Sequence, residues 1–436
     1  MKKSICFLII SVLLVCSKAK AQLPDFIERL NGGTVQSGDF FEKIPFELND
    51  GRVYVTSLVN GHKYRFLVDT HSPCLLYDYI LDEVDLDTID KSSTLGKMFL
   101  TGFLKPVFPK IDTFSIGKIK FSEIGAILMK DDSTNPLRDN NMDGILGSNL
   151  MKHCIWQFNF NDSTIILTNN VSKCTYTEGA IQLPFIPKPV QGSPNVFIMV
   201  GNDTINVEFD TGNNGFVNAL SPGIFKKINE GKTIEWSMKL DIPVDRDDLD
   251  SIETHYYVMI DSMQTGNHTL YNLPIVAYNP EYKQTMGKGS MGIDFLKHFI
   301  TTIDWYDNKI YLYPNEGKNQ LPHNKRTFGF TYGYKKNKFV VTSIFSGSEA
   351  EQSGIKIGDE LLAINGYRLT QLSKQSIKKY QSGELKLSSD NDDKIVVIIL
   401  KDGVKKKFIL SRYNLFDMHG ESRSAGDKTR INIENQ

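Results

Sequence analysis

Residues 66–72 read FLVDTHS, an apolar strand that delivers an aspartate to a tight turn, and residues 207–213 read VEFDTGN in the same arrangement. Asp69 and Asp210 each end an apolar run, where an ionised carboxylate is costly unless a partner compensates it. Two such copies in one chain indicate that each aspartate is the partner of the other. The sequence therefore predicts two carboxylates that share one proton.

The residues that follow each aspartate indicate that the chain is duplicated. The aspartates are 141 residues apart (210 − 69), and a constant offset of 145 (289 − 144) relates a second set of residues. This set pairs Gly144, Gly147, Lys152 and His153 with Gly289, Gly292, Lys297 and His298. Each copy then continues into a short helix and a hairpin. Internal similarity of this kind means that one supersecondary plan occurs twice.

The composition favours an all-β protein with many short strands, because apolar and polar residues alternate through most of the chain. A formal net charge of −1 without a basic face argues against nucleic-acid binding. Beyond the N-terminal region the cysteines are Cys74, Cys154 and Cys174, which can form at most one disulfide. A bridge between the last two is conceivable, and buried free thiols are the simpler interpretation. The histidine spacing matches no metal-binding pattern, so we expect no metal.

Residues 1–21 have the pattern of a secretory signal peptide. Two lysines precede an apolar run at residues 5–15 that is short for a bilayer span, and residues 19–21 (AKA) supply a small-residue cleavage site. We expect an exported, periplasmic or extracellular protein that begins at Gln22 after cleavage. The alternative is a lipoprotein anchored at Cys16, although the valine before that cysteine is bulky for such a signal.

Two glycine segments complete the duplicated motif. Residues 145–147 (ILG) and 290–292 (SMG) begin 76 and 80 residues after their aspartates (145 − 69 and 290 − 210). With the aspartate strands, these segments make residues 41–315 resemble an aspartic protease of the pepsin/retropepsin type. The resemblance implies a bilobal all-β fold of two β-barrel lobes, residues 41–178 and 179–315, in which each glycine segment threads beside a catalytic strand.

The resemblance also implies roles for the residues of both turns. Asp69 and Asp210 would form the catalytic dyad, and Thr70 and Thr211 would cross-link the lobes beneath it. The adjoining residues that would support the dyad are His71, Ser72, Gly212 and Asn213.

The implied chemistry is hydrolysis of a peptide bond by activated water. The ionised carboxylate would take a proton from the water while the protonated one polarises the scissile carbonyl of an extended polypeptide in the interlobe cleft. No covalent intermediate, metal or other cofactor is required. Because one chain carries both aspartates, we expect a monomer.

One residue of the first turn departs from the family pattern, since His71 stands where the family has glycine. A side chain there could obstruct the passage of substrate backbone near the dyad. Alternatively, an imidazole beside the carboxylates could shift their titration. Asn213 is a milder departure from the usual serine or alanine. A second hypothesis is therefore a pseudo-protease that serves as a peptide-binding or protein-binding module.

Residues 327–412 resemble a PDZ domain, an α+β module that holds a protein C-terminus. Phe328, Gly329 and Phe330 fit its carboxylate-binding loop, in which backbone N–H groups receive the terminal carboxylate and the next strand pairs with the peptide. A glycine-bounded short helix and residues 364–366 (ING) fit the remainder of the pattern. A PDZ fold that packs on the lobes without binding peptide is the alternative.

The remaining segments complete the predicted organisation. Residues 22–40 are expected to form a leader strand or linker, residues 316–326 a linker, and residues 413–436 a polar tail. Residues 95–102 are expected to form a flap hairpin over the cleft.

Overall fold

A computed structural model describes residues 24–49, 51–99, 102–132, 135, 137, 141–220, 234–245, 248–266, 268–278, 289–315, 326–381, 384–389 and 391–415. The predicted signal peptide with Cys16, most of the predicted linker and the end of the predicted tail lie outside these residues. The described chain is mostly β-structure, as the sequence predicts. No helix within the ranges given above is long and apolar enough to cross a membrane.

The strands fall into three consecutive groups. The first group, which with its helices we call the first repeat, comprises β1 Thr34–Val35, β2 Phe41–Pro45, β3 Glu47–Asn49, β4 Arg52–Val59, β5 His62–Asp69, β6 Leu75–Tyr77, β7 Asp87–Asp90, β8 Leu104–Lys105, β9 Val107–Ile116, β10 Ile119–Gly125, β11 Ile127–Met129, β12 Gly144–Gly147, β13 Ile155–Asn159 and β14 Thr164–Thr168. The second repeat comprises β15 Ile181–Pro187, β16 Pro194–Val200, β17 Asp203–Phe209, β18 Val217–Leu220, β19 Ile234–Asp245, β20 Asp248–Thr265, β21 His268–Tyr278, β22 Gly289–Met291, β23 Phe299–Asp304 and β24 Lys309–Pro314.

The C-terminal group comprises β25 Arg326–Thr327, β26 Phe330–Lys335, β27 Lys338–Phe345, β28 Glu360–Ile364, β29 Tyr367–Arg368, β30 Lys394–Lys401, β31 Val404–Ser411 and β32 Tyr413–Asn414. The helices are short: α1 Asp25–Asn31, α2 Ile80–Glu83, α3 Ser92–Phe99, α4 Ser148–Met151, α5 Ile293–Leu296, α6 Glu349–Gln352 and α7 Lys374–Gln381. In the described part of the chain, 3₁₀ turns lie at Val171–Lys173 and Leu369–Gln371.

Local sequence explains the hairpin that leads to the first aspartate. Asn60 and Gly61 both have positive φ, +47° and +91°, as a two-residue type I′ turn requires. The turn sets Val59 opposite His62, and this register brings β5 back along β4 to end at Asp69.

Each repeat inserts its glycine segment between two strands that flank the aspartate turn. In the first repeat β12 runs parallel to β5 and antiparallel to β6, with Gly144 opposite Phe66. In the second repeat β22 runs parallel to β17 and antiparallel to β18, with Gly289 opposite Val207. The two registers correspond under the sequence offsets of 141 and 145, so the duplication predicted from the sequence appears as repeated strand topology.

A central antiparallel sheet joins the repeats. Its order is β2–β14–β13–β23–β24–β15, so the two hairpins lie side by side with one flanking strand beyond each. One continuous apolar core runs through both repeats and includes Val68, Trp156, Phe209 and Ile303, each fully buried. Full burial of such side chains stabilises a fold by about 1.5–3 kcal/mol each. The repeats therefore form one packed body.

The C-terminal group has its own apolar core and also pairs with the second repeat. Phe339, Val341, Leu361 and Ile399 belong to the core of this group. At its margin, β19 pairs with β27, and Phe345 packs in a small buried cluster with residues of the second repeat.

Three expectations from the sequence are corrected. Residues 92–99 form helix α3, so the predicted flap hairpin at 95–102 is wrong over residues 95–99, where LGKMF has helical rather than alternating spacing. Residues 100 and 101 of that prediction lie outside the described residues. The segment predicted as a leader strand or linker, residues 22–40, does contain a short strand, β1, which pairs with β10, but it also contains helix α1, which buries Ile27 and Leu30. The predicted tail begins within the fold, since β32 pairs with β25 and Leu415 is fully buried.

Candidate active site

The two aspartates lie at the ends of equivalent strands, and backbone N–H groups cradle each carboxylate. Asp69 Oδ1 accepts the backbone N–H groups of His71 and Ser72 at 2.8 and 3.2 Å. Asp210 Oδ1 accepts the N–H of Gly212 at 3.0 Å. Each tight turn therefore orients the carboxylate that precedes it.

Beneath the carboxylates, Thr70 and Thr211 form reciprocal hydrogen bonds between the repeats. The N–H of Thr70 donates to Thr211 Oγ1 and the N–H of Thr211 donates to Thr70 Oγ1, both at 3.0 Å. The hydroxyls in turn donate to Phe209 O at 2.5 Å and Val68 O at 2.9 Å. All four bonds are buried, so they fix the turns relative to each other.

This cross-link brings the second turn against the first carboxylate. A Cβ built on Gly212 would lie 2.4 Å from Asp69 Cγ, so only glycine fits there. Burial, followed by the negative charge of Asp210, raises the pKa of Asp69 to about 7, although His71 and the N–H donors oppose the shift. Asp69 therefore holds its proton in much of the range where a free carboxylic acid has lost it.

The equivalent position in the first turn carries His71, whose ring reaches into the second repeat. Its Nε2 lies within hydrogen-bond distance of Glu208 Oε2, and its Nδ1 lies 3.6 Å from Asp210 Oδ2. Burial alone would lower the pKa of His71, but the two carboxylates outweigh it and raise the value to about 9. The Nζ of Lys188 lies 2.5 Å from Glu208 Oε1 and 3.0 Å from His71 Nε2.

Glu208 lies at the centre of the array that it forms with His71 and Lys188. Its side chain is only 3% exposed, which alone would raise its pKa, but the contacts with His71 and Lys188 lower it below its ordinary value. The carboxylate therefore stays ionised inside the protein because two cationic groups compensate it.

The loop at residues 188–193 holds the array in place. Gln191 Nε2 donates to the backbone oxygen of His71 at 2.5 Å. Trp305 Nε1 donates to Gly192 O at 2.9 Å and fastens the same loop to the central sheet. Contacts with both the backbone and the ring of His71 therefore fix its position.

The other predicted turn residues fasten each turn to its glycine segment. Ser72 O accepts the N–H of Ser148 at 2.9 Å. Asn213 Nδ2 donates to Ser290 Oγ at 2.6 Å, and Asn213 O accepts the N–H of Ile293 at 2.8 Å. A Cβ on Gly147 or on Gly292 would lie within 2.5 Å of the neighbouring turn backbone, which explains the glycine in each segment.

An open pocket adjoins Asp69 on the side of the first repeat. Its walls are mainly apolar, and His71, Ser72 and Gln191 add polar groups. The lining residues are Asp69, His71, Ser72, Pro73, Leu75, Phe103, Leu104, Leu137, Ile145 and Gln191. The pocket can accept an apolar side chain next to the carboxylates.

Sequence reasoning missed Glu208 and Lys188. A signal for Glu208 was present, because the corresponding strand position in the first copy (208 − 141 = 67) is the apolar Leu67. Lys188 follows β15 with no motif to mark it. Among the described residues, no group of three or more His, Cys, Asp or Glu side chains is placed to hold a metal ion. Cys74, Cys154 and Cys174 are buried free thiols.

The predicted carboxylate-binding loop of the C-terminal group surrounds Gly329. Its φ is +86°, and a Cβ there would lie 2.5 Å from Ser348 Cβ, so the loop requires glycine. Its N–H donates to Thr327 Oγ1 at 3.0 Å, and its carbonyl accepts the N–H of Phe345 at 2.9 Å. The flanking Phe328 and Phe330 pack into the core of the group, and so anchor the loop at both ends.

The strand that follows this loop, β26, meets helix α7 along one edge. A two-residue turn joins β26 to β27, and Lys335 pairs with Lys338 across it. Hydrogen-bonded and non-hydrogen-bonded pairs alternate along an antiparallel hairpin, and the pair that closes a two-residue turn is hydrogen-bonded. Tyr332 is three residues before Lys335 and so belongs to a non-hydrogen-bonded pair, in which its backbone N–H and C=O point away from β27. The hydroxyl of Tyr380 on α7 donates to Tyr332 O at 3.3 Å, and the two rings stack. The hydroxyl of Tyr380 therefore uses the carbonyl oxygen of Tyr332, which lies on the edge of β26 where a bound peptide would pair as an additional strand.

Comparison with known protein families also identifies a PDZ domain in this part of the chain. Residues 319–387 match the PDZ domain family. The chain therefore contains a PDZ domain, a module that binds protein C-termini. No curated protein matches the chain.

Proposed function

We propose that the protein is an exported aspartic endopeptidase with a bilobal pepsin-like fold, formed by the two repeats. It would hydrolyse peptide bonds of extended polypeptides that lie in the cleft between the lobes, with Asp69 and Asp210 as the catalytic dyad. The PDZ domain would recruit or gate substrate by holding a protein C-terminus.

One observation carries this proposal. The reciprocal hydrogen bonds of Thr70 and Thr211 hold two aspartate turns face to face, each beside an equivalent glycine segment. A turn that served only to reverse the chain would need neither a buried carboxylate nor a matching partner 141 residues away (210 − 69). The elevated pKa of Asp69 supports a dyad that carries one proton at moderately acidic to neutral pH.

The proposed reaction uses one water molecule. The ionised aspartate removes a proton from water, and the water oxygen bonds to the scissile carbonyl carbon. The protonated aspartate donates to the carbonyl oxygen, which gives a neutral diol. The aspartate that took the proton from water then donates it to the peptide nitrogen, the other aspartate takes a proton from one diol hydroxyl, and the C–N bond breaks to release the amine and the new carboxylic acid. The apolar pocket beside Asp69 supports binding of a bulky apolar side chain near the cleaved bond.

The test is cleavage of an unfolded protein by residues 22–436 from acid to alkaline pH, with Asp69→Asn and Asp210→Asn alongside. The exposed Asp85 provides the matched control, Asp85→Asn. We expect cleavage by the parent and the control and a loss of at least about 10³-fold in both dyad variants, as for removal of a catalytic group. Equal cleavage by the parent and a folded Asp69→Asn protein would refute the proposal.

The second candidate function is peptide binding without catalysis. It is favoured by the PDZ match and by His71, whose ring occupies the position where glycine leaves space for substrate. Under this hypothesis the parent is inactive and His71→Gly creates activity. If His71→Gly leaves an active parent unchanged or slower, this second hypothesis fails.

A further inference from the structure

Both nitrogens of the His71 ring face carboxylate oxygens of the second repeat. Nε2 contacts Glu208 Oε2, and Nδ1 lies 3.6 Å from Asp210 Oδ2. A neutral imidazole has one N–H and one lone pair, so one of these contacts would then set a lone pair against a carboxylate. The imidazolium has a donor for each. The geometry therefore favours protonated His71.

Lys188 makes one alternative conceivable. Its Nζ lies 3.0 Å from His71 Nε2 and could donate to a neutral ring. That tautomer would turn the Nε2 lone pair toward Glu208 Oε2, which is in contact with the same nitrogen. Because Lys188 already has Glu208 Oε1 at 2.5 Å, it does not require the histidine as an acceptor.

The balance of charges around the ring also favours protonated His71. Among the residues that the structure describes, the titratable groups around the His71 ring are Glu208 and Asp210 on the second repeat, Lys188 on the 188–193 loop, and Asp69 two residues earlier on the same turn. With His71 protonated, the cations His71 and Lys188 face the anions Glu208 and Asp210. These four groups together with Asp69 are neutral when Asp69 keeps its proton. Buried charges are tolerated when they are balanced in this way.

We infer that the array of Lys188, Glu208 and His71 makes the two aspartates unequal: the imidazolium keeps Asp210 ionised as the base, and Asp69 keeps the proton as the acid. This inference rests on the proposed proteolytic function. The proton taken from water goes to Asp210, and the proton of Asp69 goes to the carbonyl oxygen. His71, Glu208 and Lys188 act as positioning residues, since they set the charge of Asp210 without contacting the reacting bond.

The pH range of activity follows from this assignment. The pKa of Asp69 is raised to about 7, so its proton is present below that pH and lost above it. Cleavage should therefore extend close to neutral pH and decline as the pH rises through about 7. Removing the cation in His71→Gln should move the decline near neutral pH upward, because the positive charge of His71 lowers the pKa of Asp69.

Nuclear magnetic resonance tests the proton assignment without turnover. The full chain is labelled with ¹⁵N in histidine rings and ¹³C at aspartate carboxyl carbons, and signals are assigned with His71→Gln, Asp69→Asn and Asp210→Asn. At about pH 6 we expect imidazolium signals for His71, a protonated Asp69 and an ionised Asp210. In Glu208→Gln, the histidine should lose its proton at lower pH. Glu360→Gln, which breaks a PDZ surface pair with Lys338, is the matched control.

The outcomes separate the two proposals. A neutral His71 ring at this pH, or a protonated Asp210 beside an ionised Asp69, would overturn the inference even if the chain cleaves substrate. The expected spectra from a chain without protease activity would support the proton assignment and refute the proposed function. Unchanged spectra in a folded Glu208→Gln protein would remove Glu208 from the array.

Discussion

Gln157 and Thr302 face each other at the centre of the sheet that joins the repeats, and Gln157 Nε2 donates to Thr302 Oγ1 at 2.7 Å. They are separated by 145 residues (302 − 157), the offset that relates the glycine segments. Residue pairs on either side of them, Ile155 with Asp304 and Asn159 with Ile300, are exchanged by the same offset. The pseudo-twofold relation between the repeats therefore passes through this pair.

The pseudo-twofold relation also exchanges Thr70 and Thr211, which form the cross-link. This cross-link should be a major source of stability. We expect Thr70→Val or Thr211→Val to lower the free energy of unfolding by about 2–4 kcal/mol, because each change removes two buried hydrogen bonds and leaves an N–H unpaired. Urea denaturation measures the effect. Thr70→Ser and Thr211→Ser retain the hydroxyl and should cost about 1 kcal/mol or less, mainly from the lost methyl. Valine variants as stable as the serine variants would contradict a structural role for the hydroxyls.

The buried histidine should make stability depend on pH. The pKa of His71 is raised in the folded protein, from 6.5 to about 9. Its contribution is thus complete below about pH 6.5 and is lost as the pH rises through about 9. We expect the parent to lose on the order of 2 kcal/mol more stability than His71→Gln between these limits. Denaturant unfolding at both pH values gives the difference, and parallel losses in the two proteins would contradict it.

The sequence predicts the symmetric features of the site better than the asymmetric ones. Apolar strands, aspartates and glycine segments recur with constant offsets, so the sequence alone pairs Asp69 with Asp210. Lys188 escapes this reasoning because it is distant from His71 along the chain and only tertiary packing joins them. Glu208 was visible as an irregularity, because it places a charge where the first copy has the apolar Leu67. Helix α3 was missed because five residues are too few for the helical spacing of LGKMF to decide between a strand and a helix.

The last described residues should fasten the PDZ domain to the second repeat. Leu415 is fully buried with Phe345 and Tyr257, and Tyr413 pairs with Thr327. A chain that ends after residue 412 should lose on the order of 3 kcal/mol of stability, as for removal of a buried leucine. A chain that ends after residue 415 is the matched reference, so that the comparison isolates the contribution of residues 413–415. Calorimetry compares them, and equal melting temperatures would contradict the anchoring role.

Tyr380 should restrain peptide binding by the PDZ domain. Its hydroxyl donates to Tyr332 O on the edge of β26 where a peptide strand would add, so a bound peptide must displace it. Tyr380→Phe keeps the ring stacked on Tyr332 and packed on Phe339 but removes the donor. We expect the variant to bind C-terminal peptides about fivefold more tightly, the equivalent of one hydrogen bond of about 1 kcal/mol. Fluorescence anisotropy with a peptide library measures the affinity, and amidated peptides, which lack the terminal carboxylate, serve as the control. Unchanged or weaker binding by Tyr380→Phe would show that the hydroxyl does not compete with the peptide.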